Sequence, residues 1–230
     1  MTFESDAPMP MDASRDTEDA GGARGAGDES ADPGTVRPGG RTARVRAAVL
    51  QAAGDMLAEQ GVHGLDLAEV ARRADVGKTT VYRRWGTVAG LVTDLLTDMA
   101  EQSLPRTDTG SLEGDLLANA GLVRRTLSDP RQGPLFKAVI AAAVGDTRTA
   151  EALHRFYEIR VAEWAPCVQE AVARGEVPEG TDAAEVVRAV SAPLYYRLLT
   201  TDAPLDEAAA RRAAGAAVAA ARAGAFVRIP

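Results

Sequence analysis

The run LAEVARRADVGKTTVYRRW at positions 67–85 gathers Lys78, Thr79, Arg83 and Arg84 within a few residues. An ammonium, a hydroxyl and two guanidinium groups so close together suit non-covalent recognition of phosphate oxygens and base edges. Arg72 and Arg73 stand just before them, and Asp75 is the one acid between Arg72 and Arg84. Arg41, Arg44 and Arg46 form a second basic group with no acid among them. Local basic patches of this kind, more than overall charge, attract phosphate. Other chemistries have less footing. His63 and His154 lie far apart and lack carboxylates at ligand spacing, so neither a metal site nor a general base is expected from them. Cys167 is the only cysteine, which excludes an intrachain disulfide and a cysteine-based zinc site. Glu158 and Glu163 read as a solvated helix face. No P-loop, GxSxG or GxGxxG is present. The expectation is a non-enzyme with no cofactor and no metal.

The elements that must position the basic residues follow from the same run. Asp66 is placed to cap a helix, with Glu69 three residues on at capping-box spacing. A short helix over about 67–74 turns Leu67, Val70, Ala71 and Ala74 inward. Asp75-Val76-Gly77 breaks it, with Asp75 where the tight turn needs left-handed backbone, which Asp tolerates better than most. A second short helix over 78–84 packs through Val81, Tyr82 and Trp85. Two helices this short must share one core, and Ala71 and Ala74 let them cross closely. Once Val81 and Trp85 point inward, Lys78, Thr79, Arg83 and Arg84 are left outward. That is a helix-turn-helix, whose second helix enters the major groove of double-stranded DNA.

The whole chain reads as all-α. Its 230 residues are 46% hydrophobic but only 4% aromatic, so Ala, Val and Leu must build the core, and strand-type runs are missing. The net charge of −7 is by itself opposed to nucleic acid, yet residues 1–40 hold nine acids against three arginines, while 41–104 balance eight against eight. Residues 1–40 are expected to be a disordered acidic tail. A helix over 41–60 begins the DNA-binding domain at 41–86. A fourth, over 87–103, links it to a domain at 87–230 with further helices near 112–128, 131–144, 147–174, 182–201 and 205–224. Kinks or shifted boundaries are expected at Pro134, Pro166 and Pro193. No apolar run approaches a membrane span and no secretory signal is evident, so a cytoplasmic protein without a membrane partner is expected. The second domain carries more helix than dimerisation needs, and helical bundles place ligands between helices. Met99, Leu117, Phe136, Tyr157 and Trp164 are the candidate wall of a pocket for a small apolar or aromatic effector.

Residues 41–96 resemble the tetracycline-repressor (TetR) family of bacterial regulators. The resemblance rests on the helix Arg41 to Gly61, on VARRADVGKTTVYRRW, and on Leu91 in the following helix; PLYYRLL at 193–199 is similar to a C-terminal segment of one subgroup. It implies a homodimeric repressor with a three-helix DNA-binding domain on a helical ligand-binding and dimerisation domain. It also implies DNA contacts from Lys78, Thr79, Thr80, Tyr82 and Arg83, with Tyr82 on a backbone phosphate. Arg41, Arg44 and Arg84 complete the expected DNA-binding set. Four positions depart from the family pattern. Asp66 replaces a Ser or Thr cap, Asp75 a turn Gly, Gly77 a Ser, and Val88 a Lys, so backbone affinity is expected to be lower than in relatives. The alternative is a helical interaction protein with a vestigial helix-turn-helix. The dimer is expected to form through the stripe Val186, Val187, Val190, Leu194 and Leu198 and the alanines 209, 213, 216, 217 and 220.

Overall fold

A computed structural model describes residues 39–103 and 105–228. The expected acidic tail lies outside the described residues, except that the first helix already includes Gly39 and Gly40. Nine α-helices run through the described residues: α1 Gly39–Gln60, α2 Leu67–Arg73, α3 Lys78–Trp85, α4 Val88–Glu101, α5 Leu112–Ser128, α6 Gln132–Gly145, α7 Thr147–Ala173, α8 Ala183–Thr200 and α9 Glu207–Arg222. A single 3-10 turn, Val62–Gly64, separates α1 from α2.

Most helices start where a short polar side chain satisfies the free backbone N–H groups of the first turn. Asp66 accepts from Ala68 and Glu69, Thr87 from Gly90, Ser111 from Gly114, Asp182 from Ala184 and Glu185, and Asp206 from Ala209. The return half of the expected capping box does not form, because Arg72 and Arg73 take both carboxylate oxygens of Glu69. Pro134 sits in the first turn of α6, where a missing N–H costs little, and α7 and α8 continue through Pro166 and Pro193.

The core is aliphatic, as the composition requires. Val49, Ala53, Met56, Val70, Ala71, Val81 and Leu91 are sealed in the N-terminal part, and Leu112, Leu116, Leu135, Trp164, Val190 and Leu194 in the C-terminal part. In the bundle, α9 packs on α5 and α8, and α7 meets α4, α6 and α8. Two helices join the N-terminal helices to the bundle: α4, which packs on α1 and α7, and α6, which packs on α1 and α7. Gly54 leaves room for the Arg131 guanidinium at the second junction, since a Cβ there would stand 2.5 Å from it and the guanidinium would have to shift. Among the described residues no helix is long and apolar enough to cross a membrane.

The apolar stripe expected to hold two subunits together has another use. Val186, Val187, Val190 and Leu194 of α8 and Ala209, Ala213 and Ala217 of α9 are buried within one protomer. Alanines on α9 let it lie close to α5, and these seven residues cannot also face a partner; of the rest of the expected stripe, Leu198 and Ala220 are half-buried and Ala216 is exposed. Among the residues left outside on these helices are Tyr196, which is 67% exposed, Leu199, and the small residues Gly215, Ala216 and Ala219.

Candidate DNA-binding surface and inter-helix cavity

The turn between α2 and α3 is set by one residue. Asp75 has φ +52°, the only left-handed non-glycine residue among those described. The amide of Val76 donates back to Ala71 O at 2.9 Å and that of Asp75 to Arg72 O at 3.3 Å. These two bonds are the Schellman pattern that closes a helix C-terminus over a left-handed residue. The carboxylate-bearing residue thus takes the place a glycine would fill and aims α3 across α2. Gly77 caps α3 without a side-chain bond.

On α3, Val81 and Trp85 are buried and Lys78, Thr79, Arg83 and Arg84 are exposed. Tyr82 is 47% exposed, and Thr80 is half-buried. Lys78 and Arg83 have no ion-pair partner among the described residues, whereas the Arg84 guanidinium lies over the Trp85 ring, 5.2 Å from its centroid. On α1, Arg41 and Arg44 are exposed, and Arg44 donates to Gly40 O at 3.2 Å.

Three further arginines of the N-terminal part are internally paired. Arg72 and Arg73 pair with Glu69, and Arg73 also pairs with Glu59. Arg46, grouped by sequence with the basic patch, points instead at α4. It contacts Asp94 at 2.8 Å and Asp98 at 2.5 Å. Asp94 also accepts from the Trp85 indole nitrogen at 2.9 Å. Burial alone would raise the Asp94 carboxyl, but the hydrogen bonds from Arg46 and Trp85 and the Arg46 charge outweigh it and hold the group below its ordinary value. One carboxylate therefore ties together the end of α3, α1 and α4. Sequence reading missed this tie; the signal was the pair of acids at i and i+4 on α4, Asp94 and Asp98, on the polar side of an otherwise apolar helix.

The helices of the C-terminal bundle, with part of α1, border a partly open cavity of about 510 Å³. Met99, Phe136, Tyr157 and Trp164 line it, which brings together four of the five residues expected there. Leu117 does not join them: it is 42% exposed. On α5 the cavity face is Asn119, Leu122, Val123 and Thr126, and Leu117 falls on the opposite side of the helix. Rings of Phe136, Phe156, Tyr157 and Tyr195 form a continuous aromatic cluster, with centroids 5.3 to 6.1 Å apart. Edge-to-face and tilted contacts of this kind are the favoured aromatic geometry. Burial pushes the Tyr195 phenol up to about 12 and raises Tyr157 further, so both are neutral at ordinary pH.

Three charged side chains reach the cavity wall, and each has a partner. Asp98 pairs with Arg46, Arg160 with Glu163 and Ser103, and Arg131 with Asp55. Arg131 also donates to Gln51 O of α1 at 3.1 Å. Ala47, Leu50 and Gln51 of α1 belong to the same wall, so the cavity directly borders the helix that carries Arg41 and Arg44. Elsewhere, the carboxylates of Asp108, Asp115 and Glu170 bring oxygens within 4.8 Å of one another. Arg106 pairs with Glu170, and Thr109 donates twice to Asp115, so this cluster has protein partners.

A helix-turn-helix with an exposed basic face, joined by two helices to an all-helical bundle with a cavity between its helices, fits a DNA-binding regulator with a second, helical domain. Residues 49–95 match the family described as bacterial regulatory proteins, tetR family, and residues 106–217 match the tetracyclin repressor-like C-terminal domain. The chain is 32% identical over 155 residues to the HTH-type transcriptional regulator YdeS of Bacillus subtilis, covering 67% of this chain and 78% of that one. It is 32% identical over 165 residues to the DNA-binding transcriptional repressor TetR of Mycobacteroides abscessus, covering 70% and 85%. Among solved structures, the TetR family transcription regulator SCO0332 is 30% identical with a TM-score of 0.60, covering 76% of this chain and 97% of that one. A TetR-family regulator from Rhodococcus sp. has the same fold, with a TM-score of 0.65 at 21% identity, covering 78% and 99%. The chain belongs to the TetR family, and it is a sequence-specific DNA-binding transcriptional regulator.

Proposed function

We propose that the protein is a homodimeric repressor that leaves double-stranded operator DNA when a small apolar or aromatic effector fills the cavity. The observation that carries this reading is the shared wall. The cavity is bounded by α1 of the DNA-binding domain, and its lining residues Asp98 and Arg131 bond to Arg46, Asp55 and Gln51 of that same helix. A molecule seated there presses on the groups that fix the domain's position. To act as a switch it must favour one arrangement, and a hundredfold difference corresponds to about 2.7 kcal/mol, ordinary for such coupling. The repressor named among the relatives supports the direction of control.

Lys78, Thr79 and Arg83 are the base-reading candidates, with Thr80, Tyr82, Arg84, Arg41 and Arg44 around them on phosphates. Two copies related by a two-fold axis would read two half-sites about one or two DNA turns apart, at ~34 Å per turn. Selection from random duplex DNA is expected to enrich one near-palindromic motif. Against that motif, Arg83→Ala weakens binding by roughly 1–3 kcal/mol if Arg83 holds a base bidentately, and Tyr82→Phe weakens binding to all sequences alike. Fluorescence anisotropy at one salt concentration reads both. Unchanged affinity in both variants would overturn the contact assignment.

A further inference from the structure

The cavity has a wet end and a sealed end. Its exposed lining residues are Ala47 and Gln51 on α1 and Gln102 just past the end of α4. Ala47 and Gln51 lie one turn apart and share a face of α1. The mouth therefore opens between the first helix of the DNA-binding domain and the C-terminal end of α4. Opposite it, Phe136, Phe156, Trp164 and Val187 are each at most 8% exposed. The two ends differ in chemistry. Rings and aliphatic groups make up most of the sealed end, where a polar group would lose its water for little in return. At the mouth, Gln51 donates its amide nitrogen to Asp55 at 3.2 Å and Gln102 donates its own to Asp98 at 2.7 Å. What each glutamine has left for a ligand is its amide oxygen, an acceptor. The charges at this end are matched, Asp98 with Arg46 and Arg131 with Asp55, so none calls for an opposite charge on a ligand.

We infer that the cavity takes an amphipathic molecule end-on, with an apolar, ring-bearing body against Phe136 and Phe156 and a hydrogen-bond-donating polar end at the mouth, where the Gln51 and Gln102 amide oxygens meet it. This rests on the reading of the cavity as the effector site and adds the polarity of the effector and the side by which it enters. The polar end lies against α1 itself, since Gln51 belongs to that helix and its backbone carbonyl holds Arg131.

Three probes built on one body separate the contributions: 4-(2-naphthyl)butan-1-ol, with a donor at one end; its methyl ether, with an acceptor only; and 4-(6-hydroxy-2-naphthyl)butan-1-ol, polar at both ends. Calorimetric titration into the full chain is expected to place the alcohol about five- to tenfold above the ether. The doubly polar probe must bury one hydroxyl at the sealed end and is expected to bind at least about tenfold more weakly than the alcohol. Ala47→Trp narrows the mouth at an exposed position, so it is expected to cut alcohol binding at least about tenfold with the melting curve unchanged. Replacing both glutamines, Gln51→Leu with Gln102→Leu, is expected to erase the advantage of the alcohol over the ether. Because the ranking needs only the parent protein, the inference stays open to refutation even if a variant misfolds. Equal affinity for alcohol and ether, a doubly polar probe as tight as the alcohol, undiminished binding to Ala47→Trp, or no binding of any probe overturns it. The expected ranking with operator DNA still bound in anisotropy upholds the mode of binding and removes the effector reading instead. Release of DNA by probes that break the ranking does the reverse.

Discussion

Asp94 joins three helices, since Arg46 of α1 and Trp85 of α3 both end on its carboxylate. Hydrogen bonds to a charged group contribute about 1.5–3 kcal/mol each when partly shielded, and this group is about one quarter exposed. Asp94→Asn is expected to cost roughly 1–2 kcal/mol, a fall of a few degrees in melting temperature for a chain of this length. The pH dependence has a definite sign. The folded-state carboxyl titrates below its ordinary value, so its stabilisation is complete above the unfolded-state value, about pH 4, and is lost as pH falls through the lower folded-state value. Thermal melts from neutral to acidic pH should show the parent losing more stability below about pH 4 than Asp94→Asn does; parallel acid limbs would refute the linkage. At this scale the sequence was legible wherever a residue's partner is its own backbone. Asp66 as a cap and Asp75 as a left-handed turn residue need only their neighbours in the chain. Arg46 was misread because its partners are 48 and 52 residues away, and a basic side chain in sequence gives no sign of which distant acid will claim it.

Helix by helix, the expected spans and the observed ones differ by at most two residues at each end, because caps, prolines and glycines punctuate the chain at nearly every boundary. What periodicity could not decide was the direction each face turns. An apolar stripe on α8 and α9 is equally suited to a partner subunit and to the protomer's own core, and the fold spends it on α5 and α7. Leu117 failed as a cavity residue for a related reason: hydrophobic size marks a residue as a candidate, yet Asn119, a polar break in the stripe Leu112, Leu116 and Ala120, was the better pointer to the cavity side. The consequence for assembly is a pair of contrasting substitutions. Leu194 is fully buried, so Leu194→Glu is expected to unfold the protein, with a loss above about 3 kcal/mol from a buried unpaired charge. Tyr196→Arg, on the exposed face of α8, is expected to leave the melting curve of the isolated protomer within about 0.5 kcal/mol while shifting the dimer to monomer in light scattering at micromolar concentration. A Tyr196→Arg protein that stays dimeric places the subunit contact on another surface.

Across the whole molecule the two halves communicate through few groups. The path along α4 is anchored by Asp94 and Asp98, and the path along α6 by Arg131, which reaches over Gly54 to Asp55 and Gln51. The α4 link was legible in the sequence, but the α6 path was not, since Arg131 lies 76 residues from Asp55 and only the docking of α6 on α1 brings them together. Arg131 and Asp55 are each 37% exposed, and pairs that exposed contribute little to global stability, about 0–1 kcal/mol. Their effect is on position. With the pair removed, the DNA-binding domain samples more orientations, and DNA must order it again before both subunits can engage. Arg131→Ala is therefore expected to leave the melting temperature nearly unchanged while lowering operator affinity about fivefold, a coupling of ordinary size. Asp55→Asn should produce the same loss, and the double variant no more than either alone, since residues acting through one contact do not add. Anisotropy titrations of the four proteins against the selected operator decide it. Additive losses would mean that Arg131 and Asp55 act separately, and unchanged affinity in all three variants would leave α4 as the only route by which the cavity reaches DNA.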